Sequence, residues 1–323
     1  MDTLSEVLGA IHLEGAVFLD AEFTAPWCVR TQYGLPRGTQ LLKGADHIAL
    51  FHFLLDGRCK TRLADGGEAL ELGPGDCVLY AHDHKHILCS DLSLPPVDAG
   101  DLPHIEQGAS QRITYGGGGE ATRLVCGYLA CDRRINRALF STLPEMMRIS
   151  LGGDPALTWL TEMLRIGVAE SRAQRPGARS LLTKLSELIF VEAMRRHAAS
   201  LPEGQRGWLA GLRDPQVGKA LALLHGQPGR AWTVDELARE VASSRSVMAQ
   251  RFSDLIGEPP MQYLTRWRLA LAARDLRSGP DPIGRIAERY GYESEAAFNR
   301  AFKREFDAPP ASWRKRAEEA TVG

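Results

Sequence analysis

Residues 236–260, ELAREVASSRSVMAQRFSDLIGEPP, and residues 285–310, RIAERYGYESEAAFNRAFKREFDAPP, are two versions of one pattern. Leu237-Ala238 recurs 49 residues later as Ile286-Ala287. Met248, Phe252 and Pro259-Pro260 recur 50 residues later as Phe298, Phe302 and Pro309-Pro310, so the second copy carries one extra residue in its turn. Each copy has the form of a helix-turn-helix. Its first helix buries Leu237-Ala238 or Ile286-Ala287, where the small alanine lets a second helix cross closely. A short turn follows, with Gly291 supplying backbone freedom in the second copy. The second helix buries an i, i+4 pair and leaves the opposite face for another partner. Thr233 and Glu236 have the spacing of a capping box at the start of the first unit.

Between the copies, residues 261–279 (MQYLTRWRLALAARDLRSG) read as one long helix ended by Gly279-Pro280. One helix-turn-helix pattern alone also describes an ordinary helical hairpin in an enzyme's accessory domain. Two copies on one rod have a geometric purpose that a single copy lacks. They can enter successive major-groove segments about one DNA turn, ~34 Å, apart.

The chain of 323 residues is long enough for two or three domains and has an ordinary soluble composition, 44% hydrophobic and 24% charged. No basic n-region with an apolar core opens the sequence, and no apolar run approaches the roughly 18 residues of a membrane span, so the expected location is the cytoplasm, with no membrane partner. Six cysteines without a C-x-x-C pair read as reduced thiols. The net charge of −1 is unevenly spread. From Trp208 onward there are 18 Lys/Arg against 15 Asp/Glu, so a nucleic-acid footprint would depend on where these groups sit on particular helices.

Upstream, residues 11–130 contain short β-prone runs, among them HIALFHFLLDG (47–57), CKTRL (59–63), EALELGPGDCVLYA (68–81) and TRLVCGYLA (122–130). From Arg133 the period becomes 3.6. Leu157, Leu160, Leu164 and Val168 form one stripe, and Leu181, Leu185, Leu188 and Glu192 another, flanked by Leu182 and Ile189. SLPEGQRGW (200–208) reads as a linker. The expected organisation is a multidomain α+β chain: a β-domain over 1–131, a helical connector with a possible dimer contact over 132–207, and an all-α domain over 208–323 with two helix-turn-helix units joined by a long helix.

GYESEAAFNRAFKREFDAPPASWR and WTVDELAREVASSRSVMAQRFSDLIGEPPMQYLTRWRL resemble the two helix-turn-helix units of the AraC/XylS family of bacterial transcription regulators, over about residues 215–316. The resemblance implies promoter DNA and RNA polymerase as partners, a homodimer, and no enzymatic activity. Carried over by position, it assigns Arg245, Ser246, Ala249 and Gln250 to the first reading helix. To the second it assigns Glu295, Ala296, Ala297, Asn299 and Arg300. Gln250 has the chemistry to pair with adenine, Arg300 with guanine, and Glu295 with cytosine N4. Arg245, Lys303 and Arg304 suit phosphates. Glu295 has the alternative of capping its helix after Ser294, and Ala249 of contacting nothing.

Residues 11–130 resemble the cupin-like β-barrel that one branch of this family carries as a sensory domain. Within YAHDHKHILC (80–89), an extended run would point His82, His84 and His86 the same way, as ligands for a regulatory divalent metal with His52 or Cys89. The alternatives are contact with an organic ligand, or His86 lining the barrel with His82 and His84 on its rim. Against the catalytic cupin motif, Gly75 and His86 fit, but Ala81, Asp83 and Ser90 stand where Pro, Gly and Asn are expected. The upstream H-x-H and Glu are missing from GADHIAL. A cupin-type metalloenzyme with a helical appendage is therefore the weaker rival. A thiol-based redox regulator, through Cys28 and a Cys89 made acidic by nearby histidines, is another. The signal is thus expected to be a small molecule, a metal or an oxidant.

Overall fold

The computed structural model describes residue 4 and residues 14–32, 47–107, 110–131, 137–151, 157–202 and 204–315. Strand β3 (His47–Asp56) shows how the upstream half is built. Nine of its ten residues are buried. Ile48, Leu50 and Leu54 enter one core, whereas Ala49, Phe51, Phe53 and Leu55 enter another. A strand covered on both faces needs no polar alternation, which explains the unbroken apolar run.

Among the described residues β3 belongs to a seven-stranded sheet. Its order is β12 (Met147–Ser150), β6 (Asp76–Tyr80), β3, β11 (Ala121–Cys131), β1 (Glu14–Thr24), β10 (Ser110–Gly116) and β9 (His104–Gln107). A five-stranded sheet runs β5 (Gly66–Leu72), β4 (Cys59–Leu63), β7 (His86–Cys89), β2 (Cys28–Thr31) and β8 (Val97–Asp98). Pairing is antiparallel except for β1–β10 and β2–β8. Side chains from both sheets, including Phe23, Trp27, Leu54, Tyr80, Leu88 and Leu124, fill the space between them. The two sheets together form the β-rich N-terminal domain.

Helices cover the other face of the larger sheet. After α1 (Arg137–Phe140), α2 (Thr158–Arg172) and α3 (Ala178–Ser200) pack Leu160, Leu164, Val168, Leu182, Leu185 and Ile189 into the core that contains Phe51 and Phe53. A Cβ on Gly167 would stand 2.8 Å from Leu182 Cδ2, so glycine is what lets α2 approach α3. The stripe expected on α3 is corrected. Leu188 is 44% exposed, and the buried line runs through Leu182, Leu185, Ile189 and Phe190.

The C-terminal part is helical throughout: α4 (Trp208–Arg213), α5 (Pro215–Gly226), α6 (Val234–Glu240), α7 (Arg245–Ile256), α8 (Pro260–Ser278), α9 (Ile283–Arg289) and α10 (Glu295–Phe306). The Thr233–Glu236 capping box closes in both directions. Ser244 and Ser294 cap α7 and α10 by accepting from Val247 N and Ala297 N. Leu237, Ala238, Met248 and Phe252, and equally Ile286, Ala287, Phe298 and Phe302, are buried as the repeat predicts. Helix α8 has 19 residues, so it spans ~28 Å at 1.5 Å per residue. Its Tyr263 and Leu264 join the core of the first unit, whereas Trp267 to Leu276 belong to a separate core with the second.

Both turns between paired helices use left-handed backbone, at Ala242 (φ 54°) and at Gly291 (φ 76°). A side chain there costs roughly 1–2 kcal/mol, partly offset by glycine's larger entropy loss. Ala242→Gly should therefore raise stability by up to about 1 kcal/mol in thermal or urea denaturation. Gly291→Ala should lower it, because its Cβ would meet Gly229 O at 2.6 Å. A destabilised Ala242→Gly protein would contradict this account of the turn.

Candidate nucleic-acid interface and the interior of the barrel

The buried pair Met248/Phe252 rolls α7 so that Arg245, Ser246, Val247 and Gln250 are exposed, with Ala249 half-buried. The pair Phe298/Phe302 does the same for α10, leaving Glu295, Ala296, Arg300, Lys303 and Arg304 exposed and Asn299 half-buried. Several of these groups are held by neighbours. Arg245 lies 3.5 Å from Asp235, and Gln250 Nε2 donates to Asp254 Oδ1 at 2.9 Å. These contacts are on the surface and exchange readily for a phosphate or base edge. Arg300 and Lys303 have no ion pair among the described residues. Glu295 does not cap α10, since Ser294 does. Its carboxylate turns toward α9, where a Cβ on Gly284 would stand 2.9 Å from Oε2. Val247, 53% exposed on the reading face, escaped the sequence reading. It offers a methyl contact to a thymine.

Two braces hold the α7 unit. Arg251 pairs at 2.5 Å with Asp214, whose other oxygen caps α5 through Gln216 N and Val217 N. Trp208 Nε1 donates to Tyr263 Oη at 2.9 Å, and that hydroxyl lies 2.7 Å from His225 Nε2. Burial pushes the His225 pKa down to about 3, so the ring is neutral. A cavity of about 970 Å³ opens beside α7, lined by Leu201, Pro202, Arg213, Ser246 and Gln250 among others.

The barrel interior holds a second polar constellation. His52 on β3 and His86 on β7 meet with their Nε2 atoms 2.7 Å apart. His86 Nδ1 lies 2.7 Å from the His84 carbonyl, which only accepts, so Nδ1 carries the proton and Nε2 is an acceptor. His52 Nε2 therefore donates to it. His52 Nδ1 in turn accepts from the Cys126 thiol, 2.7 Å away. Thiol, imidazole, imidazole and carbonyl form a chain with one consistent proton direction and no net charge. Burial depresses both imidazoles, His86 to about 4, and raises the Cys126 thiol. Tyr80 stacks on His86 at 3.6 Å and hydrogen-bonds Thr61 Oγ1, which donates to the Ile87 carbonyl at 2.7 Å.

The expected set of three histidines does not form. Residues 81–85 turn rather than extend, with Asp83 in left-handed backbone (φ 52°), and β7 begins only at His86. His84 pairs with Glu145 at 3.3 Å, and His82 lies edge-on to His47. Among the described residues no group of three or more His, Cys, Asp or Glu stands where it could hold a metal ion. The expectation of an acidic Cys89 is likewise corrected. Burial is the main cause that pushes its thiol up to about 12, helped by neighbouring Cys28 and Asp91.

Comparison with known proteins follows these divisions. A cupin family model matches residues 2–199, and a helix-turn-helix domain model matches residues 237–316. An AraC-like transcription regulator of Streptomyces lividans is 33% identical over 98% of both chains. This chain belongs to the AraC-like transcription regulators. The RCS-specific HTH-type transcriptional activator RclR of Escherichia coli is 29% identical to this regulator over 99% of each chain. The DNA-binding domain of AdpA, solved in complex with a target DNA, is 28% identical, covering 33% of this chain and 95% of that one, with a TM-score of 0.31. The AraC-like regulator thus joins a DNA-binding helical domain to a cupin domain, and no helix among its described residues is long and apolar enough to cross a membrane.

The barrel histidines give the regulator a pH dependence of defined sign. Their pKa values lie below the ordinary imidazole value near 6.5, so between that value and about 4 the unfolded chain binds more protons. Stability is fully present above pH 6.5 and is lost as the pH falls toward 4. The thermal midpoint should therefore drop between pH 7.5 and 5. The double variant His52→Leu/His86→Leu should lose part of that dependence, since His197, His225 and carboxylates of lowered pKa such as Asp214 keep their share. An unchanged pH profile in the double variant would rule out this assignment.

Proposed function

We propose that this AraC-like regulator reads promoter DNA through α7 and α10 in two successive major-groove segments. The observation that supports this most is the matching roll of the two helices. Each buries an i, i+4 pair and presents polar side chains at corresponding positions of the repeat. In this reading Gln250, Arg300 and Glu295 face base edges, with Ser246, Ala249, Ala296 and Asn299 lining the contact. Arg245 and Lys303 hold phosphates.

The cupin domain carries the signal, and an effector acts by binding two arrangements of the molecule unequally. The regulator works in the cytoplasm as a homodimer that engages RNA polymerase. Trp159 and Ile166 on α2 and Leu188 on α3, between 44% and 49% exposed, supply an apolar surface for the second copy. Bound sites mapped genome-wide supply the operator for a titration. On that operator Arg300→Ala should weaken specific binding by roughly 1–3 kcal/mol and relax one base position, while Lys303→Ala weakens all sequences alike. Equal affinity of wild type and Arg300→Ala for cognate and scrambled DNA would refute the assignment.

A second reading of the signal rests on one registry. In the antiparallel pair β2–β7, Cys28 stands opposite Cys89, and both side chains enter one small satellite core. Directly opposed residues have Cα separations of about 4.5–5.5 Å, within the range a disulfide spans. A peroxide would transfer one oxygen to a thiolate and leave as the alcohol or water. The second thiol would then displace water from the sulfenic acid to form the disulfide. Both thiols are buried with raised pKa values, so the reaction is slow at neutral pH. Mass spectrometry after hydrogen peroxide should show a 28–89 cross-link that Cys28→Ser abolishes. Unchanged masses would exclude the pair.

A further inference from the structure

Outside the barrel, on the face of the five-stranded sheet opposite His52 and His86, lies a cavity of about 560 Å³. Its apolar part is a small satellite core in which Cys28, Ile87 and Cys89 pack with Leu92 and Leu94. Arg30, Arg62, Lys85, Asp65 and His84 complete the lining with Pro96 and Ala64. Two of these groups are already matched. Arg30 makes a two-pronged bond to Asp98, at 2.7 and 2.6 Å, and His84 pairs with Glu145.

Arg62 is different. It has no ion pair and no hydrogen bond among the described residues, and its Nε is buried without a partner. Asp65, on the exposed edge, is beyond ion-pair range of both Arg62 and Lys85. A guanidinium N–H shut away from water without an acceptor is costly, and it marks the place of an anion. A planar carboxylate matches the guanidinium fork, and the cavity is within the size range of small-molecule sites.

We propose that this cavity binds a small apolar monocarboxylate, its carboxylate on Arg62 with Lys85 nearby and its hydrocarbon body against Ile87, Leu92 and Leu94, and that this is the effector site of the cupin domain. The second clause rests on the regulatory reading above. The contacts for it are continuous. His84 and Lys85 belong to the turn whose Ala81 N donates to the Glu145 carbonyl at 3.3 Å. Glu145 follows Thr142, and a Cβ on Gly207 would meet Thr142 Cγ2 at 2.9 Å. Gly207 N donates to the Leu255 carbonyl of α7 at 2.8 Å. These contacts, with the chain segment 142–145 between them, link the turn over the cavity to the first reading helix.

The test uses the full chain, with hexanoate and benzoate as probes in calorimetric titration, and hexanamide, benzamide and sulfate as controls. Expected are dissociation constants below about 1 mM for at least one carboxylate, and at least about tenfold weaker binding by the neutral amide and by Arg62→Gln. Leu94→Glu, which puts a competing carboxylate in the cavity and leaves Arg62 in place, should also abolish binding. It guards against a poorly folded Arg62 variant. Binding unaffected by both variants, or sulfate as strong as the carboxylate, would overturn the site. Operator affinity is then measured with and without saturating carboxylate. An unchanged affinity overturns the effector role alone, since the titration does not depend on DNA and stands even if the operator assignments fail.

Discussion

Halfway along α8, Arg268 decides how the two reading units stand to each other. Its Nε donates to the Pro228 carbonyl and a terminal nitrogen to the Arg230 carbonyl, both at 2.6 Å. The loop it grips, between α5 and α6, lies directly on the turn of the second unit. A Cβ on Gly229 would stand 2.4 Å from the Arg289 carbonyl, and one on Gly291 would stand 2.6 Å from the Gly229 carbonyl. Half-buried, the guanidinium has its pKa lowered by desolvation, yet an arginine remains charged. A long helix by itself sets a distance. The arginine and the glycine contact set an angle about that helix.

The C-terminal half was legible because independent local signals agree there. The capping box, the small residue at each crossing and the i, i+4 pairs of large apolar side chains all point to one arrangement. The cupin barrel was legible only as a class, through short β-prone runs and a family likeness. Where the reading of side chains failed, one backbone angle or one neighbour was responsible. A strand through His82 and His84 needs a negative φ at Asp83, and that residue turns the other way. An acidic Cys89 needs cations that outweigh its burial, and the one that acts on it, Arg62, is overcome by desolvation, the Cys28 thiol and Asp91.

Some signals were present in the sequence without a way to weigh them. His52 is the one polar residue among the inward positions Ile48, Leu50 and Leu54, which marks it as paired inside the barrel. Alternation in CKTRL puts Lys60 and Arg62 on the outer face, but no spacing rule shows that Lys60 finds Glu71 while Arg62 finds no carboxylate. Arg268 looks like any other charge on an amphipathic helix. Its two acceptors are 38 and 40 residues away in sequence.

The hydrophobic cores divide the molecule differently from its domains. One continuous interior runs from Phe51 and Phe53 of the barrel sheet through α3 to Leu237, Met248, Phe252 and Tyr263. The interior around Phe298 and Phe302 is separate. The first helix-turn-helix unit thus shares its interior with the cupin sheet, and the second keeps an interior of its own, joined to the first through α8 and through the Arg268 and Gly229 contacts. Severing the chain between Leu264 and Trp267 would leave the second unit its own hydrophobic interior. Severing it ahead of α4 would lay open an apolar wall on both fragments.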